Sequence, residues 1–156
     1  MAYSSISLKS HKARKAKLSK NAFRKIMKTI EVVAGIIQKD NKIFATQRGY
    51  GDFAGYWEFP GGKMETGESQ EQALIRELKE ELNVIVSVDS FFCTVNYDYP
   101  SFHLILHCFL CSIISGELTL VEHKAAKWLD KANLLSVNWL PADITVIDSL
   151  LQREHN

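Results

Sequence analysis

The sequence has no apolar run long enough to cross a membrane. Its longest apolar stretch, residues 102–114, contains two histidines, whereas a membrane-spanning helix needs roughly 20 apolar residues. Disulfide chemistry is not indicated either, because Cys93, Cys108 and Cys111 are an odd number of cysteines in a chain too large to need disulfide staples. We therefore expect no membrane contact and a reducing compartment, the cytoplasm.

Acidic residues are absent from residues 1–30, which carry nine Lys or Arg, although the whole chain has a net charge of only +1. We interpret residues 1–28 as a basic, disordered extension, because no aromatic ladder or glycine pattern accompanies the charges. The alternatives are contact with nucleic acid, a transit peptide and a start codon upstream of Met27. Residues 29–156 are expected to form one domain, since 46% hydrophobic residues suffice for a single core.

The remainder of the chain predicts an α/β fold without internal repeats. Residues 31–38 and 42–47 are predicted to form a β-hairpin. Four further strand patterns occur at residues 56–59, 84–97, 103–114 and 125–129. A helix is predicted after Ser69, which forms a capping box with Gln72, and apolar residues follow at helical spacing: Leu74, Ile75, Leu78 and Leu82. A second helix is predicted over residues 141–151. Strands mixed with helices indicate a mixed β-sheet between helices.

Three glutamates share one face of the first predicted helix. At 100° per residue, Glu77, Glu80 and Glu81 fall within an arc of about 100° beside the apolar stripe. Like charges at this spacing repel each other, so a cation is expected to compensate them, and Mg²⁺ prefers such oxygen ligands. The helix alone could be an ordinary solvated one. Pro60-Gly61-Gly62 favours a site instead, because its bare backbone allows a metal and a pyrophosphate to approach closely.

These residues together resemble the motif of a known family, the Nudix hydrolases. The motif, Gly-x5-Glu-x7-Arg-Glu-aliphatic-x-Glu-Glu-x-Gly-aliphatic, is matched by Gly62, Glu68, Arg76, Glu77, Glu80 and Glu81. The sequence departs from the motif at Asn83, which stands just past the helix end where the motif has its final glycine. Asn is the next most tolerant residue of the left-handed conformation expected there, so the departure affects stability at most.

The resemblance covers residues 30–151, and residues 57–63 point to the MutT and CTP-pyrophosphohydrolase branch. It implies the Nudix fold, an α/β/α sandwich, and an enzyme that acts on phosphoric anhydrides. The implied reaction is attack of water on a nucleoside triphosphate, which yields the monophosphate and pyrophosphate. The implied role is nucleotide-pool sanitation, which prevents mutation during DNA replication and reduces the need for DNA repair.

The resemblance also assigns the site residues. Mg²⁺, with Mn²⁺ as a substitute, would be held by the Gly61 carbonyl, Glu77, Glu80, Glu81 and Glu122. Catalytic roles are assigned to Arg76, Glu77, Glu80, Glu81 and Glu122, with Glu77 as the first choice for the general base and Glu122 as the second. Substrate contacts are expected from Arg48, Glu58, Phe59, Pro60, Gly61, Gly62, Lys63 and Asp143, with Lys63 on phosphate and Arg48, Phe59 and Asp143 around the base.

The preferred base is open between two candidates. We choose 8-oxo-dGTP first, because the N1–H and 2-amino group of an oxidised guanine offer two donors to the acceptor-only carboxylate of Asp143. A (d)CTP or modified cytidine nucleotide is second. A dinucleotide or an ADP-sugar is a further alternative, since Tyr99 and Pro100 lie near marker positions of those branches. From another class, a non-catalytic Nudix module could bind nucleic acid through the basic extension, but it would not need clustered glutamates.

A zinc site formed by His103, His107, Cys108 and Cys111 is excluded on geometric grounds. On a strand, His107 and Cys108 point to opposite faces, and His107 and Cys111 lie about 13 Å apart. These side chains are interpreted as packing residues. Nucleophilic catalysis by serine has no support, because no serine lies in an elbow sequence. The sequence does not specify the oligomeric state.

Overall fold

The computed structural model describes residues 27–153. Within that range the elements in chain order are β1 (Lys28–Lys39), β2 (Lys42–Gln47), β3 (Trp57–Glu58), β4 (Gly61–Lys63), α1 (Gln70–Leu82), β5 (Ile85–Asp98), β6 (Phe102–Ser115), β7 (Ala125–Asp130), a 3-10 helix (Lys131–Ser136) and α2 (Pro141–Arg153). None of the helices in this range is long and apolar enough to cross a membrane.

The strands form a mixed, seven-stranded sheet. Its main path runs β3-β2-β1-β6-β5, while β4 pairs with β1 and β7 pairs with β2. β1 and β6 run parallel, and the other strand pairs are antiparallel. A parallel pair needs a crossover connection, and here the crossover contains α1.

β1 is the central strand of the main path, and both of its faces are buried. Val33 and Ile37 pack in one hydrophobic cluster with the buried residues of α1. Ile36, on the opposite face, packs in a second cluster with Val146 and Ile147 of α2. The alternation along β1 therefore places the sheet between the two helices, which confirms the predicted α/β arrangement.

Three local predictions are confirmed. Asp40 and Asn41 form the hairpin turn with φ values of 51° and 61°. Ser69 and Gln72 make both hydrogen bonds of the capping box at the start of α1. Asn83 has φ 56° at the end of α1, which is the left-handed conformation that the family's glycine would adopt.

Other predictions need correction. Lys28 pairs with Phe102, so β1 begins inside the predicted extension, and residues 1–26 lie outside the described range. Ile75 is 39% exposed, because it lies off the buried stripe of α1, which Ala73 completes. Residues 61–63, for which no strand was predicted, form the additional strand β4.

Candidate active site

Two of the three residues of β4 are glycines, and groups of β1 and α1 lie directly against their backbone. An added Cβ at Gly61 would lie 1.9 Å from the carbonyl oxygen of Val33 in β1. An added Cβ at Gly62 would lie 2.3 Å from the carboxyl carbon of Glu77 in α1. Side chains at these positions would displace backbone or carboxylate, so the two glycines allow α1 to place its acidic side chains directly against β4.

Arg76 ties α1 to the segment before it. Its guanidinium donates to both carboxylate oxygens of Glu68, to Glu77 Oε1 at 2.9 Å, to Glu80 Oε2 at 3.3 Å and to the Lys63 carbonyl at 3.0 Å. The hydrogen bond from Arg76 lowers the pKa of Glu68, and the same interaction raises the pKa of Arg76. Arg76 therefore connects Glu77 with β4, and its predicted catalytic role stays a prediction.

The three glutamates that the helical spacing predicted to face one volume differ in their surroundings, although Glu77 and Glu81 lie close enough to repel each other. Glu80 is 58% exposed and pairs with Arg76, whereas Glu81 lines the cavity described below. Within residues 27–153, no group of three or more His, Cys, Asp or Glu side chains is positioned to hold a metal ion. The guanidinium explains this arrangement, because it supplies the positive charge that draws Glu77 and Glu80 together.

Unlike Glu77 and Glu80, Glu81 forms no ion pair with a cationic side chain among the described residues. Its Oε2 is buried and makes no hydrogen bond among the described residues. Burial raises the pKa of Glu81 to about 8, repulsion from Glu77, Glu58 and Glu122 adds to the rise, and the Gly61 N–H opposes it. A buried, unpaired carboxylate near three further carboxylates is strongly disfavoured when ionised, so these residues fit a bound cation.

Glu81 opens into a cavity of about 450 Å³ between β1, β4 and the loops that follow β2, β5 and β6. The cavity is lined by the predicted metal ligand Glu122 and by all but one of the residues predicted to touch substrate: Arg48, Glu58, Phe59, Gly61, Gly62, Lys63 and Asp143. Pro60 is the exception. Its side chain is fully buried and its carbonyl accepts a hydrogen bond from the Gly35 N–H, so it shapes β4 and does not line the cavity.

Asp143 lies in the cavity wall at the start of α2. It is buried, and its Oδ1 accepts a hydrogen bond from the Phe59 N–H at 2.9 Å. Burial raises the pKa of Asp143 to about 8, repulsion from Glu58 adds to the rise, and the Phe59 N–H and the attraction of Arg48 oppose it. Burial therefore favours the protonated form of Asp143, which donates a hydrogen bond as well as accepting one, and the role of Asp143 towards the base stays a prediction.

A charged cluster lies in the same wall. Arg48 Nη1 donates to both oxygens of Glu58, at 3.1 and 3.3 Å. His123 Nε2 lies 3.6 Å from Glu58 Oε1, and the side chain of His123 is 7% exposed. Arg48 Nε and His123 Nδ1 are buried without a hydrogen-bond partner in the described structure.

The sequence reasoning missed the aromatic wall of the cavity. Tyr99 stacks on Phe102 with ring centroids 4.9 Å apart and contacts Phe53 edge-on at 5.2 Å. The Tyr99 hydroxyl accepts a hydrogen bond from the Ala142 N–H, which fixes the start of α2 beside Asp143. Burial raises the pKa of Tyr99 to about 12, so the hydroxyl stays neutral. Phe53 lies in a glycine-rich loop, where no periodic pattern could identify it.

The zinc alternative is excluded by the structure as well. His107 contacts Thr94 and Glu31 at 2.8 and 2.7 Å, and Cys108 and Cys111 are buried in the two different hydrophobic clusters. Opposite faces of β6 therefore separate the two cysteines.

Comparison with known proteins agrees with this geometry. The NUDIX domain family matches residues 27–150. The CTP pyrophosphohydrolase of Escherichia coli (strain K12) is 40% identical over 126 residues, which are 80% of this chain and 93% of that protein. The 8-oxo-dGTP diphosphatase of the same strain is 36% identical over 126 residues, 80% of this chain and 98% of that protein. The solution structure of the E. coli ORF135 protein has a TM-score of 0.70 and 39% identity, and the match covers 81% of this chain and 91% of that chain.

The chain belongs to the Nudix family, in its MutT-like branch. Membership makes it a hydrolase of phosphoric anhydrides. Nudix hydrolases generally need divalent metal ions, and the unpaired carboxylate of Glu81 is the feature of this structure that fits such an ion.

Proposed function

We propose that the chain hydrolyses a nucleoside triphosphate to the monophosphate and pyrophosphate, with 8-oxo-dGTP as the first candidate and (d)CTP or a modified cytidine nucleotide as the second. The observation that carries this proposal is a single cavity with two chemically different ends. Glu81 and Glu122 line it, and so does Asp143, which follows Ala142, the residue bound by the Tyr99 hydroxyl of the aromatic wall. A nucleotide needs this combination, because its phosphates are recognised through cations and its base through a flat, polar edge.

At the phosphate end we propose Mg²⁺, with Mn²⁺ as a substitute, held by Glu81 together with the Gly61 carbonyl, Glu77, Glu80 and Glu122. A bound divalent ion would supply neutralisation of the phosphate oxygens. Glu77 and Glu80 would have to leave their ion pairs with Arg76 at least in part. The remaining contacts of Arg76, to Glu68 and the Lys63 carbonyl, would keep α1 against β4 during that change.

The protein's own residues then perform two tasks at this end. Lys63 lines the cavity and is free to contact a phosphate oxygen through its side chain. A carboxylate accepts the proton of the attacking water, with Glu77 as the first candidate and Glu122 as the second. Glu77 is favoured because its carboxylate rests against the Gly62 backbone, which fixes its position.

At the base end, Asp143 would read the donor edge of the base while Phe59 and Tyr99 border the ring. An 8-oxoguanine edge offers two adjacent donors to an ionised carboxylate, and a cytosine offers one. The two named relatives act on different bases, an oxidised guanine and a cytosine, so the likeness supports both candidates. Because the edge of an oxidised guanine offers more donors than that of cytosine, 8-oxo-dGTP remains our first choice.

A panel of standard and oxidised nucleoside triphosphates, assayed for pyrophosphate and for orthophosphate release, tests the proposal. We expect pyrophosphate to be released, with the highest kcat/KM for 8-oxo-dGTP or a cytidine nucleotide, and activity to require Mg²⁺ or Mn²⁺. Full activity in excess chelator would refute the metal assignment. Turnover of dinucleotides or ADP-sugars but of no triphosphate would refute the substrate class. Binding of nucleic acid without any hydrolysis would favour the non-catalytic module.

A further inference from the structure

The segment from Phe59 to Gly61 connects the two ends of the cavity. The Phe59 N–H donates to Asp143 Oδ1 at 2.9 Å, and the Gly61 N–H lies near the carboxylate of Glu81. These two amides are two residues apart, so at most about 7 Å of chain separates them. In a nucleotide the sugar occupies the corresponding position, between the base and the first phosphate. If the proposed function holds, the wall beside this segment faces the sugar.

His123 lies in that wall. It lines the cavity, its side chain is 7% exposed, and its Nε2 faces Glu58 Oε1, next in sequence to Phe59, at 3.6 Å. A carboxylate only accepts hydrogen bonds, so the nitrogen that faces it carries the proton. In the neutral ring, Nδ1 then presents a lone pair. That atom is buried and has no partner among the described residues.

The nearby Arg48 also has an unsatisfied group. Its Nη1 is held by Glu58, and its Nε–H is buried without an acceptor. A buried polar atom without a partner is costly unless a ligand or water satisfies it. Because both residues line the cavity, a ligand bound there is placed to satisfy these atoms.

The two unpartnered atoms differ in chemistry, and this difference selects the ligand group. Arg48 Nε–H only donates, and the neutral His123 Nδ1 only accepts. Phosphate oxygens accept and would satisfy only the arginine, whereas an amino group donates and would satisfy only the histidine. A hydroxyl group both accepts and donates, so it is the one of these three groups that can pair with either atom.

We propose that His123, together with Arg48, binds a hydroxyl group of the substrate sugar and thereby makes the enzyme discriminate between nucleotides by their sugars. His123 Nδ1 accepts a hydrogen bond from the hydroxyl group, and the Glu58 carboxylate lies 3.6 Å from Nε2 on the other side of the ring. This role rests on the proposed function. His123 is a specificity-determining residue and takes no part in the transfer of protons to or from the attacking water.

The test measures binding, so it does not depend on metal or turnover. Calorimetry determines the Kd of three monophosphates, the ribo, 2′-deoxy and 2′,3′-dideoxy forms, of whichever base the triphosphate panel ranks first. Wild-type protein should bind at least one hydroxyl-bearing form about tenfold more tightly than the dideoxy form, which corresponds to about 1.4 kcal/mol for one hydrogen bond. A further gain from the deoxy to the ribo form would identify the 2′ hydroxyl, and equal Kd values for those two would identify the 3′ hydroxyl.

Variants identify the atom responsible. His123→Ala should reduce the tenfold ratio to less than about twofold. His123→Asn places a polar atom near Nδ1 and should retain part of the ratio, whereas His123→Gln places one near Nε2 and should lose it. His103→Gln is the matched control, because that histidine pairs with Asp98 and is not among the residues lining the cavity. It should keep the wild-type ratio.

Two results would overturn the proposal. One is equal binding of all three monophosphates by the wild-type protein, which can be measured even if every variant fails to fold. The other is an unchanged ratio in His123→Ala with all three Kd values raised alike, which would make His123 a structural residue. The triphosphate panel separates these results from a failure of the proposed function, since that failure appears as an absence of hydrolysis by the wild type.

Discussion

Replacing Glu81 with glutamine separates the stability of the fold from its function. Glutamine has nearly the same shape as the neutral carboxyl group and can still accept the hydrogen bond from the Gly61 N–H, but it carries no charge. Burial raises the pKa of Glu81 from the ordinary value of 4.5 to about 8. The ionised side chain should therefore destabilise the metal-free protein, while the same charge should be needed for the metal.

The sign of the pH dependence follows from proton binding. A carboxyl group with a higher pKa in the folded state holds its proton longer there than in the unfolded chain. Stability therefore falls as pH rises from about 4.5 to about 8 and is constant above that range. One pKa unit corresponds to about 1.4 kcal/mol, so the shift sets an upper bound of roughly 5 kcal/mol. Water entry and side-chain relaxation reduce this bound, and we expect Glu81→Gln to stabilise the metal-free protein by about 2 kcal/mol at pH 9.

Urea denaturation at pH 5 and pH 9, in chelator and in excess Mg²⁺, provides the assay. In chelator, wild type and Glu81→Gln should have similar free energies of unfolding at pH 5, and the variant should be the more stable at pH 9. Excess Mg²⁺ should stabilise the wild type more than the variant. Turnover of the variant should fall at least about 10²-fold, as expected for a lost metal ligand.

The control is Glu71→Gln in the first turn of the same helix, where the side chain is exposed. It should change the free energy of unfolding by less than about 1 kcal/mol and leave turnover close to the wild-type value. The reasoning is refuted if Glu81→Gln is less stable than wild type at pH 9 in chelator, or if Mg²⁺ stabilises both proteins equally.

Three further predictions concern the base end, β4 and the N-terminal segment. Because burial raises the pKa of Asp143 to about 8, the ratio of kcat/KM between the preferred base and the other bases should increase from pH 7 to pH 9. Asp143→Ala should abolish that increase and lose about 1–3 kcal/mol of discrimination between bases. An equal loss of kcat/KM for all triphosphates would show that Asp143 is structural. Gly62→Ala places a methyl group 2.3 Å from the Glu77 carboxyl carbon and should lower turnover at least about tenfold, whereas unchanged turnover and melting temperature would contradict the tight contact. Deletion of residues 1–26, which ends before β1 at Lys28, should leave turnover and melting temperature nearly unchanged, and an insoluble product would show that the segment belongs to the domain.

Sequence patterns predicted the elements whose signals are local. The capping box at Ser69, the alternation along β1 and the tolerance of Asn83 for the left-handed conformation each depend on residues close in the chain. β4 could not be recognised in this way, because Gly61 and Gly62 have low strand propensity and form a strand only where β1 and α1 press on them. Tertiary contact overrode local preference there.

The site was predictable as a set of residues but less so as an arrangement. Helical spacing placed Glu77, Glu80 and Glu81 on one face, yet it could not show that Arg76 would bind two of them and leave Glu81 unpaired. His123 gave no signal, because a lone histidine in a loop has no periodicity or motif. Its position against Glu58 depends on the pairing of β2 with β7, which joins distant parts of the chain.

The hydrogen bond between Phe59 and Asp143 has a consequence for protein synthesis. It joins residues 84 positions apart, and the parallel pairing of β1 with β6 also joins distant segments. A growing chain that has already exposed all the glutamates of α1 still lacks Asp143, because α2 follows every other described element in the chain. A nucleotide bound at Asp143 as proposed therefore cannot help to fold the nascent chain before α2 is made. It can stabilise the domain only after synthesis of the described elements is complete, when the distant contacts that slow folding have formed.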